Sequence, residues 1–217
     1  MITKDTFRNE REWLTGRKIV GGSDAASIIG LNPWKSNYTL WLEKTGRKKP
    51  DDLSYNELVQ YGKAAEEPLR QLFALDYKKT LAVHYEPFNL FTNSEYPWAH
   101  ASLDGWAEEI ETGRWGVLEF KTATISSAAQ SSKWKDGIPQ NYYCQLLHYL
   151  AITNFEFAIL TAQLKYDFDE EPEARTKHYR LERADVLDEI EYLMEQERIF
   201  AGYVERDEEP PTILPDI

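Results

Sequence analysis

The chain has 217 residues, 42% of them hydrophobic and 29% charged, which fits an ordinary globular protein of one domain with room for a sizeable core. Its single cysteine, Cys144, excludes an internal disulfide and cannot by itself hold zinc or an iron–sulfur cluster. The net charge of −12 does not exclude a polyanionic partner, because ten basic face five acidic residues over 1–49 while six face seventeen over 166–217.

No apolar run approaches the ~18 residues of a membrane span, and the opening "MITKDTFRNEREW" lacks the apolar core of a secretion signal. The expectation is a cytoplasmic protein without membrane contact. In chain order, the N-terminal third reads as helices. "REWLTGR" comes first, "SDAASIIG" opens on a Ser23 cap and closes on Gly30, and "SNYTLWLEKTG" opens on Ser36 and closes on Gly46. "SYNELVQYGKAAEEPLRQLFALDY" continues at helical spacing, with Pro68 and Gly62 as places where it can kink or restart.

The period then changes to two. "TLAVHYEPFNLF", "WAHASLDGWAEEI" and "RWGVLEFKTA" predict three successive strands, with "ETGR" as the hairpin turn between the last two. "PQNYYCQLLHYLAIT" predicts a helix, "FEFAILTAQL" and "TKHYRLER" predict strands, and "ADVLDEIEYLMEQERIFAGYV" an amphipathic helix. The predicted class is α/β, a restriction-endonuclease-like mixed sheet flanked by helices with a helical N-terminal third. Residues 1–205 form the expected domain, and 206–217 an acidic, Pro-rich surface tail.

Within "WGVLEFKTA", alternation puts Leu118 and Phe120 on one face and Glu119 and Lys121 on the other. By itself this is a strand solvated on one face with an ion pair on it. The hairpin, however, returns Asp104 of "ASLDGW" to a position beside Glu119. Two carboxylates brought together repel unless a cation or proton neutralises them. A hard divalent ion wants oxygen ligands, which Asp104, Glu119 and the backbone carbonyl of Phe120 can supply. Glu66 or Glu67 of the preceding long helix can offer a third acid, two ions a few Å apart become possible, and Lys121 can stabilise charge developing on a phosphodiester. Gln145 can bond Lys121 or an attacking water.

"GxxxE", "LDG" and "LEFK", followed by "GIPQNYYCQLLHYL", resemble the PD-(D/E)xK nucleases, specifically the phage-type exonucleases of the lambda exonuclease and YqaJ viral recombinase group. The resemblance extends to "EWLTGRKIVGGSDAASIIGLNPW" and "KHYRLERAD", about residues 10 to 205. It implies that Glu66, Asp104 and Glu119 are metal ligands with the Phe120 carbonyl, that Lys121 is the catalytic lysine, and that Gln145 is the glutamine of the following helix. It also implies that Arg17 and Ser23 hold a terminal 5′-phosphate. The cofactor implied is Mg²⁺, replaceable by Mn²⁺, as two ions. The implied partners are double-stranded DNA ends, a single-strand annealing protein and a homotrimeric ring, in a bacterial host cell. Leu103 stands where such enzymes often have proline.

The leading expectation is a 5′-to-3′ exonuclease serving phage-type recombination. The alternatives are an endonuclease or nickase of the same fold, or a non-catalytic DNA-binding module on a nuclease scaffold. Duplex DNA is expected to meet the basic N-terminal stretch, including Arg17, Lys18, Lys35, Arg47, Lys48 and Lys49, with Trp34 and Trp41 as candidates to wedge or stack on DNA ends.

Overall fold

The computed structural model describes residues 1–135, 137–167 and 173–213. In chain order the elements are β1 (Ile2–Thr6), α1 (Glu10–Gly16), β2 (Val20–Gly21), α2 (Ala25–Ile28), α3 (Asn37–Lys44), α4 (Glu57–Tyr77), β3 (Leu81–His84), β4 (Asn89–Asn93), β5 (Ala99–His100), β6 (Gly105–Glu109), β7 (Trp115–Ile125), α5 (Ala128–Lys133), α6 (Gln140–Thr153), β8 (Phe157–Tyr166), β9 (Glu173–Glu182) and α7 (Leu187–Glu205). Five strands make the central mixed sheet in the order β3-β6-β7-β8-β9. Within this sheet, among the described residues, only β7 and β8 pair in parallel, and α6 lies in the crossover between them.

Both faces of the sheet are covered. Leu118 and Phe120 of β7 pack with Ala65, Leu69 and Phe73 of α4 in one cluster. Val117 and Ile125 belong to the larger core, with Leu146, Leu147 and Leu150 of α6 and Ile190 and Leu193 of α7. Each of these large apolar side chains contributes about 1.5–3 kcal/mol by leaving water. Helix α4 runs unbroken through Gly62 and Pro68, both on its wetter side, so the expected kink or restart is absent. Asn56 starts it by accepting hydrogen bonds from the N–H groups of Leu58 and Val59.

Five expectations are corrected. The N-terminal third is not wholly helical: β1 pairs antiparallel with β4 outside the central sheet. "TLAVHYEPFNLF" splits into β3 and β4, which belong to different sheets, because residues 85–88 turn the chain and Phe88 adopts φ 55°. "WAHASLDGWAEEI" splits likewise into β5, which pairs in parallel with β2, and β6. The fourth is "SDAASIIG", which is a 3-10 turn over Gly22–Asp24 followed by the single turn of α2. Ser23 caps neither piece; the Asp24 carboxylate accepts from the Gly21 N–H at 3.0 Å and from Lys44 Nζ at 2.6 Å. Finally, Trp41 is 1% exposed in the core and therefore not available to stack on DNA, whereas Trp34 is exposed.

The "ETGR" turn does form, with Gly113 at φ 71° and Glu109 N–H donating to the Arg114 carbonyl. Cys144 is buried and unpaired, as its apolar surroundings predict. Of the acidic tail, residues 214–217 lie outside the described residues; upstream, Arg47 grips Asp207 with both terminal nitrogens, and Asn37 bonds the Pro211 carbonyl and the Ile213 N–H.

One buried charge pair ties the helices to the sheet. His148 Nδ1 lies 2.8 Å from Glu197 of α7, and its Nε2 lies 2.8 Å from the backbone carbonyl of His100 in β5. Burial opposes the imidazolium, but the Glu197 carboxylate and the two hydrogen bonds outweigh it, so His148 is held above its ordinary value.

Candidate active site

The site grows from the place where β6 begins. Gly105 is its first residue and pairs with Leu118 of β7, so Asp104, just before it, falls beside Glu119, and its Oδ2 accepts the Phe120 N–H at 3.0 Å. A residue's N–H and C=O lie on the same edge of a strand. The Phe120 carbonyl therefore looks out on the edge that Asp104 occupies.

The charged face of β7 is not solvated: Glu119 is 1% exposed, because α6 lies over it. Lys121 Nζ sits 2.5 Å from Glu119 Oε1, and Gln145 Nε2 donates to the same oxygen at 2.8 Å. Gln145 thus bonds Glu119 rather than Lys121, correcting the expected lysine contact; its second N–H goes to the Tyr149 hydroxyl at 2.8 Å. Glu119 Oε2 is buried and has no hydrogen-bond partner among the described residues. An orphaned carboxylate oxygen facing a second carboxylate is unfavourable in a protein interior and favourable as a cation ligand.

The electrostatics agree. Burial, and then the Asp104 charge, push the Glu119 carboxyl above its ordinary range against the pull of Lys121. Burial disfavours the Lys121 ammonium, yet Glu119 and Asp104 together hold it above its ordinary value. Glu66, on α4, is pushed up to about 7 by burial and then by Asp104. Arg70, one turn on, donates to the Asp104 backbone carbonyl at 2.8 Å and stacks on Tyr85. Glu67 accepts from Gln71 Nε2 at 3.0 Å. Among the described residues, no three His, Cys, Asp or Glu side chains converge tightly as one metal-holding group. The donor set present is the Asp104 and Glu119 carboxylates with the Phe120 carbonyl, and Glu66 near enough to feel the Asp104 charge.

Glu66, Asp104, Arg17, Ser23, His100 and Tyr149 line one cleft of about 380 Å³. The structure thereby brings the two halves of the expected site together. Arg17 lies over the Trp13 ring and its Nε donates to His100 Nε2 at 2.9 Å, which leaves both terminal nitrogens without a hydrogen bond among the described residues. Burial, then Arg17 itself, pull His100 down to about 2, so it stays a neutral acceptor. Gly21 and Gly22 form the cleft wall because nothing larger fits: a Cβ would stand 2.9 Å from His100 and 2.4 Å from the Tyr149 ring. The expected helix-dipole contribution at Ser23 is weak, since α2 is a single turn; Ser23 brings an exposed hydroxyl instead.

Of the basic residues expected to meet DNA, Lys35 pairs with Glu43, Arg47 with Asp207 and Lys48, through an exposed contact, with Asp51. Sequence reasoning missed Tyr149, His100 and Asp24. The first resembles any core aromatic in a helical stripe, and the other two carry no spacing signal beyond "GGSD".

The described fold is that of exonuclease structures. An alkaline exonuclease, LHK-Exo, from Laribacter hongkongensis superposes with a TM-score of 0.62 at 19% identity, covering 91% of this chain and 93% of that one. A phage-related exonuclease from Haemophilus somnus 129PT superposes at 0.55 with 15% identity, covering 90% and 99%. A family model, the YqaJ-like viral recombinase domain, matches residues 12–156. The chain belongs to that family. It is 32% identical over 177 residues to the uncharacterized protein YqaJ of Bacillus subtilis (strain 168), across 78% of this chain. The chain spans about half, 52%, of the length of that relative.

Proposed function

We propose that this protein is a metal-dependent exonuclease that hydrolyses duplex DNA from 5′ ends in phage-type recombination. The observation that carries this reading is the buried Glu119 Oε2, without a hydrogen-bond partner among the described residues, next to Asp104, which lines one cleft together with Arg17, whose two terminal nitrogens make no hydrogen bond among those residues. A carboxylate pair suits a divalent cation and a guanidinium suits a phosphate, so together they suit a substrate with a phosphate at its end. The resemblance of the fold to solved exonucleases, one of them described in complex with dAMP, supports the same class.

Asp104, Glu119, Glu66 and the Phe120 carbonyl would hold Mg²⁺ or Mn²⁺, in this reading as two ions, and bound metal supplies a water of lowered pKa and stabilises the leaving oxygen. The remaining roles belong to the chain's own groups. Lys121 stabilises negative charge growing on the phosphate. Gln145, with both N–H groups committed to Glu119 and Tyr149, fixes the carboxylate and leaves its carbonyl oxygen to accept from the attacking water. Arg17 and Ser23 hold the terminal 5′-phosphate. A homotrimeric ring, an annealing partner and a bacterial cytoplasmic location belong to this reading. No helix among the described residues is long and apolar enough to cross a membrane.

The test is calorimetric titration with Mn²⁺ alongside digestion of linear duplex. The intact protein should bind metal and digest, and the double variant Asp104→Asn, Glu119→Gln should do neither. Intact protein that binds no metal would favour a non-catalytic DNA-binding module.

A further inference from the structure

A grip on a terminal phosphate needs an arginine that is held in place without losing its charge. Arg17 is held through one nitrogen: its Nε donates to His100 Nε2 at 2.9 Å, while its Cζ lies 4.9 Å from the centre of the Trp13 ring. A carboxylate in the place of His100 would take the guanidinium bidentately and cancel its charge. A neutral imidazole accepts one hydrogen bond and cancels nothing. Burial, and then the Arg17 charge, keep the ring neutral. Both terminal nitrogens of Arg17, whose fork matches two phosphate oxygens, are left without a hydrogen bond among the described residues.

His100 is itself fixed. It is 2% exposed, and the parallel pairing of β5 with β2 sets it opposite Gly21. A Cβ on Gly21 would stand 2.9 Å from His100 Cε1, 3.0 Å from its Nε2 and 3.4 Å from Arg17 Nη2, so the bare glycine lets imidazole and guanidinium share one wall of the cleft. The His100 carbonyl lies 2.8 Å from Nε2 of buried His148. The Lys18 N–H also approaches His100, at 3.2 Å from Nδ1. A neutral imidazole has one ring nitrogen free to accept, so it serves Arg17 or Lys18 but not both. The shorter contact, from the cationic donor, takes the lone pair and puts the proton on Nδ1.

On the exonuclease reading above, we propose that His100 is a positioning residue for Arg17: by holding Nε it aims both terminal nitrogens at the 5′-phosphate, and so sets the preference for phosphorylated ends. His100 touches neither the substrate nor the metal ligands in this account and acts through Arg17 alone.

The experiment uses two substitutions that separate the ring nitrogens. Glutamine can place an amide oxygen where His100 Nε2 stands, whereas asparagine reaches only the Nδ1 position, beside Lys18. With Mg²⁺, kcat/KM is measured on linear duplexes bearing 5′-phosphates and on the same duplexes bearing 5′-hydroxyls, with thermal unfolding followed on the same preparations. His100→Asn should shrink the ratio of kcat/KM between phosphate and hydroxyl ends by about tenfold, and His100→Gln should restore most of it. A parental ratio in His100→Asn would overturn the proposal. Equal losses on both kinds of end would overturn it too, since they would make His100 a support for the fold. ¹⁵N NMR of the parent needs no substitution: His100 should keep an unprotonated Nε2 and a protonated Nδ1 from about pH 5 to 8, and a proton on Nε2 would overturn the assignment. A parent that digests both ends equally would mean that the phosphate grip of Arg17 and Ser23 has failed, and this inference falls with it. A parent that prefers phosphate ends, with variants that do the same, would remove His100 alone.

Discussion

Gln145 Nε2 lies 2.8 Å from Glu119 Oε1, so a helix that crosses between two parallel strands reaches back to pin a carboxylate on the first of them. Lys121 binds the same oxygen, and the opposite oxygen is buried without a hydrogen-bond partner among the described residues. In the proposed mechanism Lys121 stabilises charge on the phosphate, while Gln145 holds the same Glu119 oxygen with or without it. Lys121→Ala should leave Mn²⁺ binding and the fold in place while digestion falls by about 10²- to 10³-fold. Digestion at the parental rate would remove Lys121 from the mechanism.

Glu66 ties the site to pH. Its carboxyl is pushed up from 4.5 to about 7, so the folded protein binds a proton there that the unfolded chain has already lost. Stability from this group is complete below about pH 4.5 and disappears as pH rises through 7. In a chelator, the thermal midpoint of the parent should therefore fall between pH 5 and 7 relative to Glu66→Gln, and added Mn²⁺ should offset the fall. Parallel curves for the two proteins would contradict the placement of Glu66 beside Asp104.

The His148–Glu197 pair makes a separate prediction about stability. Glu197→Ala leaves a buried imidazole without its carboxylate and should destabilise the protein by about 3–5 kcal/mol in urea unfolding. Because His148 is raised above its ordinary value, the difference from the parent should be full below about pH 6.5 and shrink as pH rises. A difference that grows with pH would mean that the pair is not charged.

Much of this site was legible in the sequence, and the reason is geometric. Period-two alternation and a four-residue turn suffice to bring Asp104 beside Glu119, and helical spacing puts Gln145 on the crossover. What alternation cannot reveal is coverage. It presents Glu119 as half-exposed, whereas α6 seals it, and that burial is what orphans Oε2. Tyr149 was hidden because a helical stripe of aromatics reads as core, which it also is. Strand β1 was hidden because "ITKDT" is exposed along its whole length and owes its form to pairing with β4 rather than to its own pattern. The tail's attachment to Asn37 and Arg47 joins residues more than 150 positions apart, beyond any local signal.

DNA contacts should be read from salt dependence, since phosphate binding releases counterions whatever the net charge of −12. Lys48 and Lys49 remain candidates for the duplex: the Lys48–Asp51 contact is exposed and 3.2 Å long, a kind of pair worth little in water. Reversing both charges should flatten the slope of log affinity against log salt. An unchanged slope would place the duplex elsewhere.

The central claim is that one cleft joins a hydrolytic carboxylate site to a grip on a DNA end. A covalently closed circle has no end to grip. The most direct measurement compares, with Mg²⁺, linear duplex bearing 5′-phosphates, the same duplex bearing 5′-hydroxyls, and closed circles, for the parent and for Arg17→Ala. The account predicts that circles survive, that phosphorylated ends are degraded faster than hydroxyl ends, and that Arg17→Ala erases the difference between the two linear substrates while residual hydrolysis persists. Efficient cutting of closed circles by the parent would contradict it and make the protein an endonuclease.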